Sequence, residues 1–359
     1  MFSNRNKNKG FSIAEILIAM TIGIILTGFI ISIFSSNKKA YYNNNRMIEL
    51  NSNIRFATDT IRGDLVNVGF YGGLTSKDSI SARISNFTQG NCSSDPFASQ
   101  FPIWGGTIAS SPPRDFISVK GVLPQTTDDT DLAPDAVYIR AGKTTGEFIA
   151  NGLGSSIPDS ANMNWEYYSH VYYINDNRLI RETLLYNDPA DPNTSYCEQQ
   201  VLVGPCLYYK DDPDNNCTPE SLKDDADNAN MLYYKDLCMQ EPSASNCEYN
   251  HLEAGVEALS FSYGVDDDQD GVANYFTDGD TIGSTSASWT TWNNVVEVKI
   301  YILARSDQDR TYTDSKTYTL GDTTIDNNNL DDNYHRKLFS ITVFLRNTWY
   351  DILNDPSNI

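Results

Sequence analysis

The chain has no proline before Pro96 and no cysteine before Cys92. A helix in that stretch therefore meets no ring to break it. Histidine is scarce, three in 359 residues, and no C-x-x-C, H-E-x-x-H or G-x-S-x-G occurs. Those absences remove the common zinc spacings, the metallopeptidase helix and the nucleophile elbow. AGKTTG at 141–146 ends like a phosphate-binding loop, but the first glycine of that pattern would fall at Val137, so it reads as a β-turn. Basic residues are few: Lys+Arg number 26 against 47 Asp+Glu, for a formal net charge of -21. Nucleic-acid binding needs a basic surface, so it is disfavoured. No enzyme is expected.

What is present begins with KNKGFSIAEILIAMTIGIILTGFIISIF, from Lys7 to Phe34. Ile16 to Phe34 carries no charge, and as a helix it rises roughly 30 Å, enough to cross a bilayer. The basic start (Arg5, Lys7, Lys9) also suits a secretory signal peptide. Such a peptide has a shorter apolar core and a small-residue cleavage site, whereas this run continues into FSSNKKAYYNNN. It reads as an anchor that stays. Beyond it, Met47, Leu50, Ile54, Ala57, Ile61, Leu65 and Val68 recur at spacings of three and four, an apolar stripe on one helix face. Arg46, Glu49, Arg55, Asp59, Arg62 and Asp64 would face away. One helix from about Phe11 to about Val68 is predicted, ended by the glycines of GFYGG at 69–73.

Glu15 is the lone acid at the head of this run. A carboxylate in lipid costs about 2–4 kcal/mol and is normally paired. One reading is an interfacial acid stabilised by the helix dipole. The other starts from the sequence before it. Cutting after Gly10 would leave Phe11 with a free amine and an acid four residues later, and the two charges can pair between neighbouring helices.

KGFSIAEILIAM resembles the class III signal of type IV pilins and pseudopilins, whose usual start is G-F-T/S-L-x-E. Ile13 and Ala14 are mild departures. The resemblance implies cleavage between Gly10 and Phe11 by a membrane prepilin peptidase, N-methylation of Phe11, and an assembly role for Glu15. It divides the chain into a leader (1–10), a transmembrane half-helix (11–35), an amphipathic half-helix (36–73) and a head (74–359). Loss of the leader would leave a charge of about -24.

The head is rich in strand signals. DFISVK (115–120), AVYIRA (136–141), HVYYI (170–174) and LIRETLLY (179–186) are β-branched and aromatic, and the last two flank the turn-former NDNR. VEALSFSYGV (256–265) alternates, with Val256, Ala258, Phe261 and Tyr263 read as one face. VVEVKIYILAR (295–305) puts Val296, Val298, Ile300 and Ile302 on one face, and KLFSITVFLRN (337–347) supplies a late strand. The expected fold class is α+β: a long membrane-spanning N-terminal α-helix packed on an antiparallel β-rich, pilin-like head.

Six cysteines, Cys92, Cys197, Cys206, Cys217, Cys238 and Cys247, are disulfide candidates in an exported segment, with free buried thiols as the alternative. Five lie in a Cys-rich insertion at about 190–250. Its tyrosines (Tyr196, Tyr208, Tyr209, Tyr233, Tyr234) would grip a ligand or simply pack locally.

Asp266, Asp268, Asp270 and Gly271 form D-x-D-x-D-G, the first half of a calcium loop. The Val272 carbonyl and Asn274 fall at the seventh and ninth positions. Thr277 stands where a bidentate Glu belongs, leaving Asp278 or Asp280 to close the shell. The alternative is an Asp/Gly-rich hairpin tip that binds nothing. Calcium is the one cofactor the sequence suggests.

GVEALSFSYGVDDDQDG, WNNVVEVKIYILARS and LFSITVFLRN resemble the PilW family of minor pilins, as does NSNIRFATDTIRGDLVNVGFYGG. That resemblance implies a minor pilin in a priming or tip complex for type IV pilus assembly. Its implied partners are other minor and major pilins, prepilin peptidase, an inner-membrane assembly platform, membrane lipid and a large tip adhesin. Its implied location is the bacterial inner membrane, single-pass with a periplasmic head, and then the pilus tip at the cell surface. A type II secretion pseudopilin similar to GspJ, or an adhesive ligand-binding tip subunit, stays open as an alternative.

Overall fold

The computed structural model describes residues 12–72, 102–108, 114–128, 130–133, 136–141, 146–150, 164–175, 177–186, 195–203, 207–209, 247–249, 255–283, 292–325 and 333–347. The chain divides into two units, Met1–Glu49 and Leu50–Ile359. Helix α1, Ile13–Asn67, begins in the first and ends in the second.

In the first unit the apolar side chains Ile13, Leu17, Ile24, Phe29 and Phe34 are all exposed. The helix is long and apolar enough to cross a membrane. Two of its polar side chains are satisfied internally: the Thr21 and Thr27 hydroxyls each donate to a carbonyl one turn back, Leu17 and Gly23, at 2.8 Å. That is the condition lipid imposes on a spanning segment.

In the second unit Leu50, Ile54, Ala57, Ile61, Leu65 and Val68 are buried, as their spacing predicts. Met47, assigned to the same stripe, is exposed. The helix stops at Gly69, whose φ of 74° suits a residue without Cβ. The outgoing chain then clips onto a strand: Gly69 N–H donates to Lys120 O and Val122 N–H to Phe70 O, both at 3.1 Å. Gly121 permits this approach, because a Cβ there would lie 2.5 Å from Asn67 O.

Seven antiparallel strands form the larger sheet. They are β1 (Ile103–Ile108), β2 (Arg114–Thr127), β3 (Val137–Ala141), β4 (Gly146–Ala150), β5 (Asn164–Asn175), β6 (Arg178–Tyr186) and β7 (Ser195–Val203). β5 pairs with β2 along one edge; on the other it pairs with β3 near its start and β6 near its end. The β5–β6 hairpin closes as NDNR predicts, with Asn175 opposite Arg178 and Asn177 at φ 59°. The AGKTTG segment joins β3 to β4, with Ala141 opposite Gly146. β7, inside the expected insertion, is a sheet strand that the sequence reading did not assign. The pair β8 (Leu207–Tyr209) and β9 (Cys247–Tyr249) follows; Cys92, Cys206, Cys217, Cys238, Tyr233 and Tyr234 lie outside the described residues.

A four-stranded sheet runs in the order β11 (Tyr275–Thr277), β10 (Gly255–Val265), β12 (Val295–Gln308), β15 (Tyr334–Phe344). The short helix α2, Gly279–Ile282, precedes β12, and the hairpin of β13 (Tyr318–Leu320) and β14 (Thr323–Ile325) precedes β15. One core joins Ala57, Ile61 and Leu65 of α1 with Ile117 and Tyr172 of the first sheet and Phe261 and Ile300 of the second.

β10 departs from the sequence reading. It is buried along its whole length, not on one face. A register shift between Val256 and Ala258 reverses the alternation, so Val256, Leu259, Phe261 and Tyr263 face the main core. Ala258 turns instead to a second cluster with Leu303, Tyr318, Leu320 and Ile325 under the β13–β14 hairpin. Beside it the buried Arg336 reaches two acids, Nε 2.5 Å from Glu257 Oε2 and Nη1 3.4 Å from Asp314 Oδ2.

Candidate functional site

The start of α1 is a reciprocal cap. Ser12 precedes the first helical residue, and its hydroxyl accepts from Glu15 N–H at 3.2 Å. Glu15 reaches back: its Oε2 accepts from Ser12 N–H at 2.9 Å and from Ser12 Oγ at 3.1 Å. This is a capping box, written in the sequence as the S-x-x-E spacing of Ser12 to Glu15, a pattern the sequence reading passed over. Two of the donors that every helix start leaves unpaired are thereby satisfied. Glu15 is exposed in the single chain, so the cap engages only part of the carboxylate's accepting capacity. The cleavage and methylation positions, Gly10 and Phe11, lie outside the described residues.

The acidic loop follows β10. Asp266 is fully buried, and its carboxylate organises the turn: Oδ1 accepts from Gln269 N–H at 2.7 Å and Asp270 N–H at 3.3 Å, and Oδ2 from Gly271 N–H at 2.7 Å. Gly271 has φ 87°, the left-handed backbone expected of it. Asn274 ties the loop shut, accepting from Asp267 N–H at 2.6 Å and donating to Asp268 Oδ1 at 3.2 Å. Ligand atoms of Asp266, Asp268 and Asp270 lie within 4.8 Å of one another, and no other His/Cys/Asp/Glu group among the described residues meets that condition. Asp278 is not part of the group. It caps α2 instead, accepting from Thr281 N–H at 2.6 Å and Thr281 Oγ1 at 3.0 Å. Val272, whose carbonyl was assigned the seventh position, has an exposed side chain. Three hard oxygen donors on a closed loop are chemically suited to calcium, and the shell they offer is partial.

Sequence reasoning missed one polar site altogether. Asp64, assigned to the outward face of α1, points at the first sheet: its Oδ2 lies 2.5 Å from His170 Nδ1 and accepts from the Tyr172 hydroxyl. Tyr168 donates to Asp64 O at 2.8 Å. The partners lie more than a hundred residues downstream, so no local pattern in the helix marks them.

Comparison with known proteins gives two family matches. A family model described as Type IV Pilus-assembly protein W matches residues 222–347, and one described as Prokaryotic N-terminal methylation motif matches residues 5–31. The first spans β9 to β15 and begins inside the Cys-rich insertion, further upstream than the residue patterns alone reached. The second brackets Gly10, Phe11 and Glu15. The NSNIRFATDTIRGDLVNVGFYGG stretch lies outside both. The chain thus matches a type IV pilus-assembly family over residues 222–347 and carries a prokaryotic N-terminal methylation motif at its start. No curated protein and no solved structure matches the chain.

Proposed function

We propose that this chain is a minor pilin that takes part in type IV pilus assembly as part of a priming or tip complex. The observation that carries the reading is the first unit. Its helix is apolar and exposed from Ile13 to Phe34, with a single carboxylate held at the first turn. An apolar rod of this kind needs lipid or sibling helices to cover it, and a filament core supplies the second. The methylation-motif match at residues 5–31 and the PilW match at 222–347 support the same reading.

In this proposal the subunit waits in the inner membrane with its head in the periplasm. The Gly10–Phe11 bond is cut and Phe11 is methylated. Helix packing against other minor and major pilins then draws the subunit into the filament, and Glu15 meets an unpaired Phe11 amine in register. Mass spectrometry of the mature chain tests this. The expected start is N-methyl-Phe11; an intact Met1 start, or a break beyond Phe34, overturns it.

The Asp266 loop supports a second, separate proposal: it takes a calcium ion on Asp266, Asp268 and Asp270, with Asn274 holding the loop closed. The proximity of the three carboxylates is what favours it.

A further inference from the structure

The apolar run of α1 passes into SSNKKAYYNNNRMI, residues 35–48. This stretch holds Lys38, Lys39 and Arg46, and no Asp or Glu occurs from Ile16 to Ile48. In a chain of net charge -21 such a cationic window is out of keeping with the rest. Lys38, Lys39, Tyr41 and Tyr42 are all exposed. Neither the spanning run before them nor the buried stripe from Leu50 to Val68 accounts for them.

Distance along the helix puts them at the membrane surface. Lys38 lies four residues, about 6 Å, beyond Phe34, and Tyr42 about 12 Å beyond it. A bilayer's hydrocarbon core is about 30 Å thick, and the whole about 40–45 Å, so each headgroup layer is about 5–8 Å deep. When the apolar run fills the core, the two lysines fall at headgroup level and the tyrosines at its water-facing margin. The same ruler closes at the other end. Glu15 lies 23 residues before Lys38, about 35 Å, so lysines in one headgroup layer leave Glu15 in the other and out of hydrocarbon.

The side chains suit that depth. Tyr carries an apolar ring with a polar tip, and Lys a long apolar stem with a charged one, the two forms that collect at lipid–water boundaries. Lys38 and Tyr42 lie one turn apart on one face, with the Lys38 ammonium 5.8 Å from the Tyr42 ring centroid. Tyr41 meets Tyr42 edge-on at 6.0 Å. Stem, rings and ammonium therefore form one continuous girdle.

We propose that Lys38, Lys39, Tyr41 and Tyr42 are a docking surface for anionic phospholipid headgroups. Two ammonium groups with three donors each complement phosphate oxygens, and each lysine near an anionic surface strengthens the attraction roughly fivefold. An acidic side chain of another protein would answer the same charge, but it has no reason to lie at headgroup depth or to require the two rings. That the girdle meets lipid rests on the spanning reading of α1 given above, not on pilus assembly.

The test uses the full chain in nanodiscs of equal parts phosphatidylglycerol and phosphatidylcholine. Native mass spectrometry then counts the lipids that stay on the chain as the disc is stripped away. Phosphatidylglycerol is expected to be retained over phosphatidylcholine roughly fivefold. Lys38→Gln/Lys39→Gln should lose most of that preference at an unchanged melting temperature, since both positions are exposed. Arg5→Gln/Lys7→Gln/Lys9→Gln, which removes the basic cluster on the other side of the run, should keep it. Equal retention of both lipids by the wild-type chain overturns the proposal, as does a preference that survives in the double lysine variant. A chain that fails to enter nanodiscs overturns the spanning helix itself, so the two failures are told apart.

Discussion

Asp64 on α1 and His170 on β5 meet at 2.5 Å, with the Tyr172 hydroxyl donating to the same carboxylate oxygen. One acid thus anchors the last turns of the helix to the first sheet through two aromatic rings, and Tyr168 adds a bond to the Asp64 carbonyl. Replacing Asp64 by Ala removes the acceptor of the Tyr172 hydroxyl and the partner of the His170 ring nitrogen, both in buried residues. The expected loss is about 2–3 kcal/mol of unfolding free energy. Asn, which keeps one acceptor, should lose less. Urea unfolding of the full chain in micelles, followed by tryptophan fluorescence, measures both; a wild-type midpoint for Asp64→Ala would remove the anchoring role.

Lys120 gives a pH dependence with a definite sign. It is buried on β2, and burial alone pushes its ammonium down from 10.5 to about 7. Below about pH 7 the folded and unfolded chains both carry the proton, and burying the charge costs stability in full. From pH 7 towards 10.5 the unfolded chain holds more protons than the folded one, so stability rises with pH and the cost fades. Lys120→Met should therefore raise the melting temperature at pH 6–7 and change it little near pH 10. An equal gain at both pH values would assign the effect to packing instead.

The secondary structure was legible wherever a pattern was local. The stripe from Leu50 to Val68, the NDNR hairpin and the strands at 115–120, 170–174 and 295–305 all follow from spacing and turn chemistry in one short window. What stayed hidden depends on distant chain. The shift between Val256 and Ala258 makes sense only with the β13–β14 hairpin lying on the far face of β10. Asp64 looks like a solvent-facing acid until β5 is placed beside it. The Ser12–Glu15 cap is the exception: its spacing was fully local, and the more conspicuous membrane run drew attention past it.

Calcium at the Asp266 loop, as proposed above, would have a direct thermal consequence. At a hundred times its dissociation constant a bound ion adds about 2.7 kcal/mol to the folded state. Chelation should then lower the melting temperature by about 4 °C. Asp268→Asn/Asp270→Asn, at two exposed positions, should melt like the chelated protein and ignore added calcium. An unchanged melting temperature on chelation, with no calcium heat in calorimetry, retires the ion and leaves a self-closed hairpin tip held by Asp266 and Asn274.

Glu15 has two jobs on this account, and substitutions separate them. In the single chain it closes the Ser12 cap at the helix start. In the filament its charge would meet the amine of a neighbouring Phe11. Gln at position 15 keeps an acceptor that can reach Ser12 N–H but carries no charge, whereas Ser12→Ala breaks the cap and keeps the carboxylate. If the charge drives docking, Glu15→Gln and Glu15→Ala should both be processed at Gly10 yet yield few surface pili, and Ser12→Ala should assemble nearly normally. Counting pili by electron microscopy beside immunoblots of the processed subunit reads all three. Piliation lost in Ser12→Ala but kept in Glu15→Gln would make the cap, not the charge, the reason an acid opens this apolar helix.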